Sequence, residues 1–273
     1  MTTTVSFILG FSLILATAGC QTLNNNQDKS ANGDPATELS VAAAFLESGK
    51  PDKAMFELRP FLERDPKNPK AHTLMGLSQL ALKNPRKAVE HLETAWTLES
   101  TAQHALNLSS AYIENNQLNN AQKIIIKGLR IKETPPYRNK DRFYHNLGLI
   151  AERKGSLVAA EKAYRKALEE NPTFYLSRAR LAHMLDEKKK YEQAKDQWEI
   201  ARNSCPGCFE ATLNLSKYYE RRGDYKTALG LVKDYKRLEG INPIESQKAS
   251  ELESELSGIK IKSAADAGRV KNR

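Results

Sequence analysis

The sequence predicts an all-α fold: a right-handed superhelical solenoid of six two-helix repeats, closed by a C-terminal capping helix. Three observations predict it. Only 14 glycines and 7% aromatic residues occur in 273, while Ala, Leu, Lys and Glu abound, a composition of helices rather than sheets. An alanine recurs at Ala54, Ala88, Ala121, Ala160, Ala194 and Ala228, at intervals of 34, 33, 39, 34 and 34 residues. Small, apolar and turn-forming residues recur around it in fixed register, which is how a repeat array shows itself in sequence.

Taken in order, residues 1–19 come first. Val5 to Ala16 is apolar apart from Ser6 and Ser12. This is shorter than the roughly 20 apolar residues that span a bilayer and fits the core of a signal peptide. Ala18-Gly19-Cys20 follows and resembles the bacterial lipobox, in which the cysteine is lipidated, the peptide is cut before it and the new amine is acylated. Thr17 stands where the lipobox usually has Leu, and no Lys or Arg lies near Met1, so an ordinary secretory peptide is the alternative. A lipidated Cys20 is the expectation, and three acyl chains at about 0.8 kcal/mol per buried CH2 would anchor it permanently. Gln21 is not the Asp associated with inner-membrane retention, so the expected location is the outer membrane, periplasmic face. Residues 20–34, with Asn24-Asn25-Asn26, read as the lipidated cysteine and a polar, flexible tether, reaching roughly 20 Å as a coil.

Residues 35–240 hold the six repeats. Twelve residues ahead of each anchor alanine is a small residue: Ala42, Gly76, Ser109, Gly148, Ala182 and Ser216. One before that is apolar: Val41, Met75, Leu108, Leu147, Leu181 and Leu215. Three after it the residue varies: Phe45, Gln79, Tyr112, Ala151, Leu185 and Tyr219. This is the tetratricopeptide pattern, two antiparallel helices per unit, A and B, crossing where only small side chains fit. Gly49, Gly155 and Gly223 fall at the A-to-B turn, where a positive φ suits glycine. Pro66, Pro172 and Pro206 fall between B and the next A, with no helical hydrogen bond to lose. The third junction, Glu133 to Lys140, is five residues longer and reads either as a loop or as a flexure between repeats 1–3 and 4–6. Residues 241–257 read as the capping helix, Leu252 and Leu256 inward and Gly258 ending it. Residues 258–273 read as a basic, disordered tail.

Motifs of catalysis are missing: there is no Gly-rich phosphate loop, no Gly-x-Ser-x-Gly and no His-Glu-x-x-His. His72, His91, His104, His145 and His183 show no ligand spacing and read mostly as solvated helix positions. No cofactor, metal or small-molecule substrate is implied, and a non-enzymatic protein is expected. Cys205-Pro206-Gly207-Cys208 sits between repeats 5 and 6. A redox site would need a thioredoxin-like setting, and zinc a second pair of ligands. A short disulfide between Cys205 and Cys208 is expected in an oxidising compartment, with free thiols the alternative. The formal charge is +9, and no charged side chain lies in residues 1–19. Basicity alone does not name a partner, and an exported protein meets little nucleic acid. Lys188-Lys189-Lys190 and Arg221-Arg222 fall at A-to-B turns and read as solvated faces.

The repeat register also tells which A-helix side chains line the concave groove. In repeats 1–3 they include Leu39, Ala43, Leu46, Thr73, Leu77, Leu80, Leu106 and Ile113, mostly apolar. In repeats 4–6 they include His145, Leu149, Glu152, His183, Asp186, Lys217 and Glu220, mostly polar. Asn107, Asn146 and Asn214 occupy a position that often hydrogen-bonds a ligand backbone. An apolar groove of this kind predicts a bound helix or peptide, unless curvature closes it and the leucines pack together.

The lipobox at Cys20, six tetratricopeptide units and overall size together resemble the type IV pilus pilotin lipoproteins of the PilF/PilW/Tgl family, over Cys20 to about Gly240. Cys205-Pro-Gly-Cys208 before the last repeat looks more like the Tgl branch. The resemblance implies that the chain binds secretin subunits and promotes their outer-membrane insertion and multimerisation. A scaffold for peptidoglycan or other envelope-assembly complexes is the alternative.

Overall fold

The computed structural model describes residues 34–271 along the backbone and the side chains of residues 34–258. Cys20, the signal peptide and residues 20–33 of the tether lie outside the described residues. Six helical hairpins follow one another: α1 (Pro35–Glu47) and α2 (Pro51–Arg64), α3 (Pro69–Ala81) and α4 (Pro85–Leu98), α5 (Ala102–Glu114) and α6 (Leu118–Arg130). Then come α7 (Lys140–Arg153) and α8 (Leu157–Glu170), α9 (Tyr175–Glu187) and α10 (Tyr191–Ser204), α11 (Phe209–Arg221) and α12 (Tyr225–Lys236), and finally α13 (Pro243–Lys271). No strand forms among the described residues. The fold is an all-α tetratricopeptide solenoid.

Helix starts follow from local chemistry. Pro51, Pro69 and Pro85 open their helices, where proline's fixed φ helps and its missing N–H costs nothing. The side chains of Asn68, Thr101 and Asp224 accept a hydrogen bond from the first-turn N–H of Ala71, His104 and Thr227, capping α3, α5 and α12. The A-to-B turn is left-handed in all six units: Gly49, Gly155 and Gly223 have φ of 69°, 76° and 76°, and Lys83, Asn116 and Lys189 have 61°, 56° and 58°.

The A/B crossings are as tight as the small residues require. A Cβ added at Gly76 would sit 2.6 Å from Leu92 Cγ and 3.2 Å from the Ala88 carbonyl oxygen, and one at Gly148 would sit 2.3 Å from Tyr164 Cε1. In repeat 6 the Ser216 hydroxyl donates to the Ala228 carbonyl at 3.3 Å. All six anchor alanines are fully buried. Four residues beyond each lies a large side chain, Leu58, Leu92, Ile125, Tyr164, Trp198 or Val232, each 1% exposed or less. Burial of this kind stabilises by about 1.5–3 kcal/mol per large side chain. The core is a row of clusters rather than one nucleus, as expected of a repeat array.

The ends and the long junction have their own contacts. Ala249, Leu252 and Leu256 of α13 are buried against Phe209, Leu229, Val232 and Tyr235, covering the last unit. The backbone stays helical beyond Gly258 to Lys271, where an end at Gly258 and a disordered tail were expected. An interior glycine costs a helix only about 1 kcal/mol, and Ala264, Ala265 and Ala267, between Gly258 and Gly268, are strong helix formers. Residues 131–139 form a loop pinned to α5. Glu133 Oε1 accepts from the Ala102 N–H at 2.7 Å, and the Tyr137 hydroxyl donates to Gln103 Oε1 at 3.1 Å. Two hydrogen bonds to one helix make this junction a fitted loop.

Candidate partner-binding surface

Consecutive A helices touch directly along α1, α3, α5 and α7, whereas no two consecutive B helices do so to a like degree. The array therefore curves with its A helices inside. That curvature decides which of the expected groove residues are accessible. Ala43, Leu46, Thr73, Leu77, Leu80 and Asn107 are partly exposed. Leu39, Leu106, Ile113 and Asn146 are buried, a correction to the expected contact set. Leu106 and Ile113 belong to the core shared by repeats 2–4, and Leu39 to that of repeats 1–2, because adjacent A helices close over them. Asn146 is spent within the array, its amide donating to Ser109 Oγ at 2.8 Å and Ser110 Oγ at 3.2 Å. Asn107 Oδ1 accepts from Gln103 Nε2 at 2.9 Å. The remaining apolar surface centres on Ala43 and Leu46 of α1 and Leu77 and Leu80 of α3.

The same face in repeats 4–6 is a polar network. His183 Nε2 lies 2.8 Å from Glu210 Oε1, and the Tyr175 hydroxyl donates to Glu210 Oε2 at 3.0 Å. These bonds, that to His183 foremost, hold the Glu210 carboxyl below its ordinary range. Trp198 Nε1 donates to Asp186 Oδ2 at 3.1 Å, and Arg180 stands 3.7 Å from Glu152. His145 is buried with Nδ1 3.0 Å from Ser177 Oγ. Burial first, and then the nearby Arg180 charge, lower its pKa to about 4.

Two of the five histidines depart from the expected solvated positions. His104 and His145 are both 8% exposed. His72 and His91 bring their Nδ1 atoms within 3.1 Å, although 19 residues separate them in the chain. Only the A/B pairing of repeat 2 could reveal that. Among the described residues no group of three or more His, Cys, Asp or Glu could hold a metal ion, and no helix is long and apolar enough to cross a membrane. Cys205 and Cys208 face each other across the α10–α11 turn with sulfurs at bonding distance and Cα atoms 5.4 Å apart.

Comparison with known proteins agrees with this geometry. Residues 105–135 and 141–174 each match the tetratricopeptide repeat family. The chain is thus a tetratricopeptide-repeat solenoid, and such repeats generally serve as protein-interaction modules rather than enzymes. It is similar to the type IV pilus assembly protein PilF of Pseudomonas aeruginosa, 22% identical over 202 residues, which are 72% of this chain and 79% of that protein. The solved structure of Pseudomonas aeruginosa PilF superposes with a TM-score of 0.60 at 20% identity, covering 80% of this chain and 96% of the other. The crystal structure of PilW, described as a widely conserved type IV pilus biogenesis factor, gives 0.62 at 18% identity, covering 80% and 99%.

Proposed function

We propose that this chain is an outer-membrane-anchored periplasmic adaptor of type IV pilus biogenesis that binds secretin subunits and promotes their insertion and multimerisation. The observation that carries the reading is the extent of the likeness to PilF. It runs through nearly the whole repeat array of both proteins rather than through one or two generic repeats. The apolar patch of Ala43, Leu46, Leu77 and Leu80 supplies a surface for an apolar helix or peptide of the secretin subunit. Lipidation of Cys20 holds the array at the membrane, where that subunit must insert. The pair Cys205 and Cys208 braces the last inter-repeat turn as a disulfide.

Deleting the protein should leave secretin subunits as monomers, and restoring it should restore heat-stable multimers. In the Cys20→Ser variant the folded protein should leave the membrane fraction, lose palmitate labelling and yield fewer multimers. Unchanged multimers in the deletion strain would remove the secretin role. Unchanged palmitate labelling in Cys20→Ser would remove the lipid anchor.

A further inference from the structure

The outer face of the array carries a second groove, between α6 and α8 with α7 as its floor, that the proposed secretin patch does not use. It is about 800 Å3 in volume; Tyr144, Leu147, Ile150 and Ala151 of α7 lie on its floor, and Ala159 and Ala163 of α8 line one wall. Val158, also lining it, is 82% exposed.

The repeat register explains why the groove is wide here, whereas the matching cleft of repeat 3, lined by Tyr112, holds only about 390 Å3. Three residues after the small A-helix position, repeats 3 and 6 carry tyrosines that reach the preceding B helix. Tyr112 donates to Glu93 at 2.5 Å and Tyr219 to Glu199 at 3.4 Å. In repeat 4 the equivalent residue is Ala151, and the α6 residue at the register of Glu93 and Glu199 is Ile126, 41% exposed. Both ends of the bridging hydrogen bond are thus replaced by apolar side chains, so no such bridge crosses from α7 to α6.

The rim tells what fits. Four cations, Lys154, Lys162, Arg165 and Lys166, face two carboxylates, Glu161 and Glu169. Arg165 and Lys166 are paired with Glu161 and Glu169 at 2.9 and 2.8 Å. Lys154 donates to the neutral Asn119 and Gln122 at 3.0 Å each, and among the described residues neither Lys154 nor Lys162 forms an ion pair. We infer that this groove docks an acidic amphipathic helix of a partner protein, its apolar stripe on α7 and its carboxylates on Lys154 and Lys162. The floor spans residues 144–154, about 15 Å of helix, which is room for anchors at i, i+3 or i+4, and i+7. A second copy of this chain fits poorly, since two chains of charge +9 would meet at a basic rim. The tether, Gln21 to Asp34, offers little apolar surface.

The test uses the exported full-length protein in detergent and a fluorescein-labelled 18-residue helix with a leucine stripe flanked by glutamates. The control is the same peptide with lysines in place of the glutamates. Fluorescence anisotropy should show the glutamate peptide binding at least ten-fold more tightly than the lysine peptide, and weakening as salt rises from 50 to 500 mM. Ala151→Tyr fills the groove with the side chain that repeats 3 and 6 use. Val158→Glu adds a charge on the surface without touching the core. Either should weaken binding at least ten-fold with an unchanged helical circular dichroism spectrum, and Leu77→Glu should leave binding unchanged. Equal binding to wild type, Ala151→Tyr and Val158→Glu would overturn the proposal. So would loss of binding in Leu77→Glu alone, or a wild-type dimer that Ala151→Tyr dissociates.

Discussion

Lys189 and Lys83 hold the left-handed turn conformation that Gly49, Gly155 and Gly223 hold in the other units. That conformation costs a residue with a Cβ roughly 1–2 kcal/mol, part of which glycine returns through its freer unfolded chain. Lys189→Gly should therefore raise stability by about 1 kcal/mol in urea unfolding, and Asn116→Gly by less, because asparagine tolerates this region. His145 sets a second expectation. Its folded pKa of about 4 lies below the ordinary value near 6.5, so below pH 6.5 the unfolded chain binds the extra proton. Stability should fall as pH drops through the window from 6.5 to 4, by about 2–3 kcal/mol between pH 7 and 4.5. His145→Gln should remove that part of the loss, measured as the difference between the two proteins' urea midpoints at each pH. The glycine turns were legible in sequence because glycine advertises a positive φ. Lys83 and Lys189 were legible only through the repeat register. His145 was not, since its burial depends on Tyr164 and Phe174, which stand 5.5 and 5.4 Å from it, ring to ring.

At the scale of elements, the alanine period outlined each hairpin because the A/B crossing admits so little volume. The same period carries a second signal, the large buried residue four places after each alanine, which fills the space beside the small one. Gly148 faces Tyr164 for this reason. The third junction was ambiguous in sequence, because loop and flexure share the composition of Glu133 to Lys140. Its contacts decide the matter: Glu133 binds the first N–H of α5, a charge-assisted cap at the positive end of a helix. Glu133→Ala should cost about 1–2 kcal/mol, while Lys132→Ala, exposed on the same loop, should change stability by less than about 0.5 kcal/mol. Thermal melts of the two variants compare them directly. The extent of α13 is not legible at Gly258, since a glycine near a helix end invites a stop that the following alanines do not need.

For the whole molecule, the curvature of the array is what local patterns could not convey. Which A-helix side chains face a groove follows from the register, but how far neighbouring A helices close over them depends on every crossing at once. Leu39, Leu106 and Ile113 are buried by that closure, while Leu77 and Leu80 keep a partly exposed face. The secretin contact proposed above therefore narrows to a patch on α1 and α3, smaller than the repeat register alone suggests. A charge introduced there must lose water or exclude the partner, and either penalty is several kcal/mol. The most direct measurement scores heat-stable secretin multimers in a deletion strain carrying Leu77→Glu, Leu80→Glu or, as a control in the polar half, Lys217→Glu, with all three proteins shown to be helical and membrane-bound. The account predicts that both leucine variants lose the multimers and that Lys217→Glu retains them. Normal multimers in both leucine variants would contradict it and move the secretin contact off the A-helix face.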